Sequence, residues 1–214
     1  MKFRMLYVVL MSVAMIGCSS DEPEIAMGES GDAVVTLNTA GQLGEALGAQ
    51  ANEITKLTVR GPINADDFKT MWSASFNGQL SVIDLSSAAI EGNAIPAYAF
   101  YHPDIQNPIN GLGFTLKLEQ IILPEGISKI GASAFEFAQL TEVSIPSTVE
   151  TIEKYAFSGC FNLISVSLPS SIKNIREYCF SGCPELRRVY IPSSLESLDK
   201  ELTLIHIRRC RRKE

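Results

Sequence analysis

The chain has 214 residues, enough for one domain or two small ones. Hydrophobic residues at 46% and charged residues at 20% support a packed core and argue against global disorder. The formal charge of −6 hides an uneven distribution: residues 18–198 carry ten Lys and Arg against twenty-one Asp and Glu, a net of −11, which repels phosphate backbones and argues against nucleic acid as a partner.

Residues 1–17 have the pattern of a secretory signal, with Lys2 and Arg4 ahead of an apolar run from Met5 to Ile16 broken only by Ser12. That run is too short for a bilayer span, which needs about 20 apolar residues. It ends in MIGC (15–18), which resembles a lipobox with Met15 where Leu is preferred. The resemblance implies cleavage before Cys18, lipid attachment to Cys18 and membrane association through that N-terminal anchor. The acidic stretch that follows, Asp21, Glu22 and Glu24, resembles the signal that sends Bacteroidetes lipoproteins to the outer face of the outer membrane. Residues 18–33 are polar and read as an acidic flexible tether.

From residue 34 the chain turns apolar. Val34 to Leu37 predicts a strand, and a helix is expected from Thr39 or Ala40 through Leu43 and Leu47. Ile54 to Val59 and Leu80 to Leu85 carry strand patterns. Between them Ala65 to Trp72 predicts a helix, with Asp66 and Asp67 in its first turn favoured by the dipole.

Two motifs then recur on one period. The first, I-x-x-x-[AC]-F, reads IPAYAF (95–100), IGASAF (130–135), IEKYAF (152–157) and IREYCF (175–180). The second, L-x-x-[IV]-x-[IL]-P, reads LEQIILP (118–124), LTEVSIP (140–146), LISVSLP (163–169) and LRRVYIP (186–192), at intervals of 22, 23 and 23. Alternation in the second predicts a strand with one buried face, which Pro ends because it cannot donate to a ladder. Ile127 to Ile130, Val149 to Ile152 and Ile172 to Ile175 predict a second short extended segment. The A-F piece fits one helical turn with Phe driven inward, and SGC at 158–160 and 181–183 turns the chain back. No such unit buries its apolar face alone, so stacking of neighbours must make the core.

These residues resemble the BspA-like leucine-rich repeats of surface lipoproteins of Bacteroidetes type, most closely over 118–192. The resemblance implies a repeat solenoid with parallel β-strands and short helical turns. The loosened pattern upstream reads as an N-terminal α/β cap with irregular repeats over 34–94, followed by regular repeats over 95–198, all one domain.

Candidates for chemistry are few. Asp66 and Asp67 are adjacent, so they do not face each other on a helix, and a helix start explains both. His102 lies in an insertion and reads as a surface-loop histidine without a nucleophile. Gly111 to Gly113 is too short for a phosphate loop. No catalytic set, cofactor motif or metal-ligand spacing stands out, so the chain does not read as an enzyme. Cys160 and Cys183 hold equivalent places in successive repeats, which parallel strands bring about 4.7–4.9 Å apart. A disulfide between them is possible in principle, but the preferred reading of both, and of Cys179, is a small buried core residue.

The outward strand positions form the candidate binding face: Ile122, Glu142, Ile164, Arg187, Arg188 and Tyr190. Ile122, Ile164 and Tyr190 are apolar or aromatic where a solvated face would be polar, and Tyr and Arg are common interface anchors. The last segment, 199–214, breaks the pattern in an aberrant basic tail, RRCRRK at 208–213. It also resembles translated sequencing adapter, a reading in which the native chain continues into further repeats or a cap.

The expected function is a surface-anchored module that binds or adheres to a host or cell-surface protein or glycan through its concave face, lipid-anchored at the outer membrane and facing the cell exterior. The alternative is a scaffold or accessory subunit of an envelope complex.

Overall fold

A computed structural model describes residues 21–28, 30–102, 116–195 and the backbone of 197–198. The signal, Cys18, the glycine pair at 111 and 113 and the tail over 199–214 lie outside the described residues.

The first half is built on long strands. β2 (Asp32–Thr36), β3 (Lys56–Ile63) and β4 (Val82–Ile90) lie side by side and parallel, and β6 (Gln120–Ile122) continues the sheet beyond β4. Ala33 and Val35 of β2, Leu57 and Val59 of β3, and Ile83 and Leu85 of β4 alternate inward and are buried. Gly61 is required in β3: its φ is +86°, and a Cβ there would stand 2.1 Å from the Leu37 carbonyl oxygen. That approach lets Leu37 N–H reach the Arg60 carbonyl at 2.9 Å.

The expected tether is shorter than 18–33. β1 (Glu24–Met27) pairs antiparallel with β2, Glu24 opposite Thr36 and Met27 opposite Ala33. Its side chains are mostly exposed. Backbone pairing holds it, which a polar composition does not reveal.

Two helices cover this sheet's inner side. α2 (Ala65–Phe76) begins at Asn64, whose side chain accepts from Asp66 N–H at 2.9 Å, and runs past the expected end at Trp72 because Ala74 and Ser75 are buried as well. α1 (Leu43–Leu47) starts later than Thr39 or Ala40. Gly41 has φ +90°, outside helical space, and the Asp67 carboxylate accepts Gly41 N–H at 2.7 Å and Leu43 N–H at 2.9 Å. Asp67 also takes Asn64 N–H at 2.9 Å, so one fully buried carboxylate closes three backbone donors and ties the two helix starts together.

The second half repeats. β8 (Glu142–Ser144), β10 (Ser165–Ser167) and β12 (Arg188–Tyr190) are parallel and in register, with Val143, Val166 and Val189 in one inward row. Thr141 N–H donates to Glu119 O at 3.3 Å, which joins this group to β6. The second extended segments form another parallel sheet: β5 (Ala94–Ile95), β7 (Lys129–Ile130), β9 (Thr151–Ile152), β11 (Asn174–Ile175) and β13 (Ser197–Leu198). Ile95, Ile130, Ile152 and Ile175 line up along it. The strands are therefore mostly parallel and the fold is a repeat fold.

The A-F pieces are not helical turns. Each is entered through a left-handed residue, Ser133, Tyr155 or Tyr178, and contains another, Phe137, Gly159 or Gly182, at φ of 59°, 66° and 69°, so each piece is a run of tight turns. Alternate N–H groups bond within the run, as Ala134 to Gly131 O and Ala156 to Glu153 O, both at 3.3 Å. The others donate to the following repeat: Ser133 to Lys154 O at 3.0 Å, Phe135 to Ala156 O at 2.8 Å, and Phe157 to Cys179 O at 2.9 Å.

Inside this ridge the four phenylalanines stack. Phe100 and Phe135 are 5.5 Å apart, Phe135 and Phe157 5.2 Å, and Phe157 and Phe180 5.6 Å, with interplanar angles of 8–14°. Phe68 of α2 meets Phe100 edge-on at 5.8 Å, joining the helical half to the column.

Phe157→Ala removes a ring packed between two others, and its expected cost is about 3–5 kcal/mol, while Phe157→Leu should cost less than half of that. Urea denaturation followed by circular dichroism measures both. A loss below about 1 kcal/mol for the alanine variant would show that the column is not what holds the repeats.

Candidate functional site

The outward side of the long sheet is organised as straight rows, because parallel pairing keeps every repeat in register. In the first sheet one row runs Lys56, Val82, Gln120 and another Thr58, Asp84, Ile122; in the group after it Glu142 pairs with Ser165 and Ser144 with Ser167, and the backbones of Arg188 and Tyr190 continue these rows. A third, at the strand entrances, is joined by backbone bonds from Thr141 N–H to Glu119 O, Ile164 N–H to Thr141 O and Arg187 N–H to Ile164 O.

The predicted face residues fall on these rows. Ile122 is 46% exposed and Ile164 53%, so both place apolar surface in water among serines, threonines and charged residues, with Val82 half-buried beside them. Glu142 is exposed between them. Arg187 is exposed, and its ion pair with Glu185 at 3.7 Å has both side chains more than half open to solvent. Such a pair contributes little to stability, which leaves the guanidinium available. The side chains of Arg188 and Tyr190 lie outside the described residues; their backbones sit beside Ser165 and Ser167. Ile122 and Ile164 do not share a row. Three residues along the strand and two repeats across separate them, roughly 14 Å at ordinary strand spacings. The face is thus a polar sheet with separate apolar points, not one greasy patch.

The other sequence candidates have structural partners. Asp66 is exposed and pairs with Lys69 at 2.8 Å, while Asp67 is the buried tie described above, so the two carboxylates face different surroundings. His102 is not a free loop side chain: it is half-buried, with its ring 5.4 Å from Trp72, which itself stacks on Phe76 at 5.1 Å. Among the described residues no group of three or more His, Cys, Asp or Glu is placed to hold a metal ion.

Cys160, Cys179 and Cys183 are buried free thiols. Cys160 Sγ lies 3.2 Å from Phe135 O and Cys183 Sγ 3.1 Å from Phe157 O, each one repeat back, so the thiols cap carbonyls of the phenylalanine column. Burial pushes the Cys160 and Cys179 thiols well above the ordinary range.

One feature escaped the sequence reading. Tyr98, Tyr155 and Tyr178 occupy the left-handed position just ahead of the A-F pair, with Ser133 in the same place of the intervening repeat. Tyr98 is 53% exposed, and Tyr155 stacks on Tyr178 at 5.1 Å with 5° between the rings. A bulky residue at positive φ costs about 1–3 kcal/mol, whereas a stacked aromatic pair contributes about 0.5–1.5 kcal/mol. Packing alone does not favour tyrosine over glycine or asparagine there. The signal was the recurring Y before A-F, visible in three of the four motif copies.

Comparison with known proteins found one family model and several solved structures. The model of the BspA type leucine-rich repeat region matches residues 113–203 in six copies. Among solved structures, a leucine-rich repeat protein of T. pallidum is 20% identical with a TM-score of 0.40, covering 79% of this chain and 68% of that one. A leucine-rich repeat protein from Bacteroides ovatus is 21% identical with a TM-score of 0.43, covering 82% of this chain; this chain spans about half of it, 53%. No curated protein matches.

Thiol chemistry checks the buried ridge. With their thiolates withheld by burial, Cys160 and Cys179 should remain unlabelled by iodoacetamide in the native protein near pH 8 and become labelled in denaturant without reductant, as read by peptide mapping. Failure of Cys160 and Cys183 to label in denaturant until reductant is added would reveal a disulfide between them.

Proposed function

From the premise that residues 113–203 are a BspA-type leucine-rich-repeat region, we propose that this chain is a surface-anchored, non-enzymatic binding module that engages a protein ligand through the outward rows of its long sheet. Repeat regions of this kind imply protein interaction as their role. The observation that carries the reading is Ile122 and Ile164 held in water on an aligned polar face, flanked by the exposed charges of Glu142 and Arg187. Isolated apolar anchors in a polar surround are the usual composition of a protein-binding patch. The acidic body, net −11 over 18–198, favours a partner with basic surface.

In this reading residues 34–198 form one solenoid. The helices and long strands of 34–94 cap its first end, and the sheet is its concave face. Cys18 carries the lipid and the acidic residues behind it direct the chain to the outer face of the outer membrane. Adhesion to host or neighbouring-cell protein then follows from anchor and face together.

Purified chain should bind at least one member of a panel of extracellular-matrix proteins, measured by biolayer interferometry. The double variant Ile122→Ser, Ile164→Ser should weaken that binding about tenfold or more, while Lys69→Ala, on α2 away from the sheet, should not. Unchanged binding in the double variant would remove the sheet face from the reading. Metabolic labelling with a palmitate analogue tests the anchor: label should appear on the chain and vanish in Cys18→Ser, and a label that persists would contradict it.

A further inference from the structure

The turn ridge carries a second aromatic series besides the buried phenylalanine column. Ring centroids of Tyr98 and Tyr101 are 6.3 Å apart, those of Tyr101 and Phe137 5.7 Å, and those of Phe137 and Phe161 6.2 Å. The four rings make one continuous rail across successive repeats. Its ends are open, with Tyr98 53% exposed and Phe161 45%, and the two rings between them are half-buried.

Phe137 holds its place in the rail against the preference of the backbone. At the same position, two residues past the column phenylalanine, the next two repeats have Gly159 and Gly182 with φ of +66° and +69°; Phe137 has φ +59°. A bulky residue in that conformation costs about 1–3 kcal/mol, a cost that glycine avoids. Gly159 in turn leaves the room that the ring takes, since a Cβ there would stand 2.4 Å from carbons of the Phe137 ring.

A neutral polar pair adjoins the Phe161 end. Ala138 is buried between Phe137 and Gln139, which are both partly open. Asn162, the residue after Phe161, donates from Nδ2 to Gln139 Oε1 at 2.8 Å. The ring contact and the amide bond therefore join the same two repeats through neighbouring residues. The bond uses the Gln139 oxygen and leaves its NH2 group to donate elsewhere.

None of these six side chains is charged, so the rail selects no ion. Its rings are turned 30°, 50° and 32° from one to the next, which makes ridges and furrows instead of one flat platform. A sugar stacks best on an open flat face, whereas a pyrrolidine ring seats in a furrow. A proline-rich segment also suits the polar end. Proline has no N–H, and the polyproline II helix leaves its carbonyls without internal partners, so such a segment needs donors. Gln139 and the Tyr98 hydroxyl supply them. Aromatic-lined grooves recognise this preformed helix because little entropy is lost on docking.

We propose that Tyr98, Tyr101, Phe137 and Phe161, with Gln139 and Asn162 at one end, dock a neutral proline-rich segment of a partner protein in the polyproline II conformation. Prolines seat between the rings, and the Gln139 amide donates to a carbonyl of the segment. The rail shares no residue with the sheet rows, so it stands whether or not the sheet face binds protein.

Fluorescence anisotropy of labelled decaproline with the full chain tests it, beside a labelled glycine–serine peptide of the same length and with unlabelled cellohexaose as competitor. Decaproline should bind, and the glycine–serine peptide should not. Phe161→Ser, at an exposed ring, should weaken decaproline about tenfold, and Tyr98→Ser decides by the same loss should Phe161→Ser not fold. Phe137→Gly separates docking from packing: circular dichroism should show it folded, because glycine suits that φ, while its affinity falls. Ile122→Ser should leave binding unchanged. No binding of decaproline, equal binding of the two peptides, full affinity in a folded Phe161→Ser, Tyr98→Ser or Phe137→Gly variant, or a loss in Ile122→Ser would overturn the proposal. Displacement of decaproline by cellohexaose would overturn it too, by assigning the rail to glycans.

Discussion

Each repeat of this protein is unable to satisfy itself, and the structure depends on its neighbour completing it. A single turn of 22 or 23 residues exposes one face of a three-residue strand, one side of a phenylalanine ring and half the amides of its turn ridge. The next turn covers all three at once. Phenylalanines lie on phenylalanines at 5.2–5.6 Å, valines follow valines down the sheet, and ridge amides donate forward while strand amides donate backward. Because these contacts are made by equivalent residues, they hold the repeats in one register.

That register is what makes a surface. Inward rows must be apolar and matched, but nothing in the stacking constrains the outward rows, so they are free to vary while staying aligned. Here they carry serines, charges and the isolated Ile122 and Ile164. The same freedom operates on the ridge, where the left-handed position accepts Tyr or Ser without altering the hydrogen bonds beneath it. The first half serves the stack differently: Asp67 joins two helix starts, and Phe68 hands the aromatic column over to α2.

The periodic part of the fold was legible because periodicity is a property of the sequence itself. Leu118 to Pro124 and its copies marked the strands, and the repeated Ile and Phe marked the second sheet and the column. The parts that were not legible depend on backbone rather than on side-chain pattern. β1 is held by pairing with β2 and buries little. The A-F pieces resemble helical turns by composition, and only the backbone, with positive φ at Phe137, Gly159 and Gly182 and amides bonded to the next repeat, shows that they are not. Asp67 looked like a dipole partner because its three amide donors include two that lie 24 and 26 residues away. Of the candidate face, the alternation placed Ile122, Glu142, Ile164 and Arg187 outward as the structure has them, but not that the two isoleucines stand on different rows.

Native-state hydrogen exchange read by NMR tests the central dependence most directly. If neighbouring repeats close each other's backbone, the amides of Ser133, Phe135, Tyr155 and Phe157, which have no partner within their own turns, will be protected, and Phe157→Ala will release those of Phe135 and Phe157 together. Exchange of these four amides near the rate of an unstructured chain, with the strand amides still protected, would contradict it.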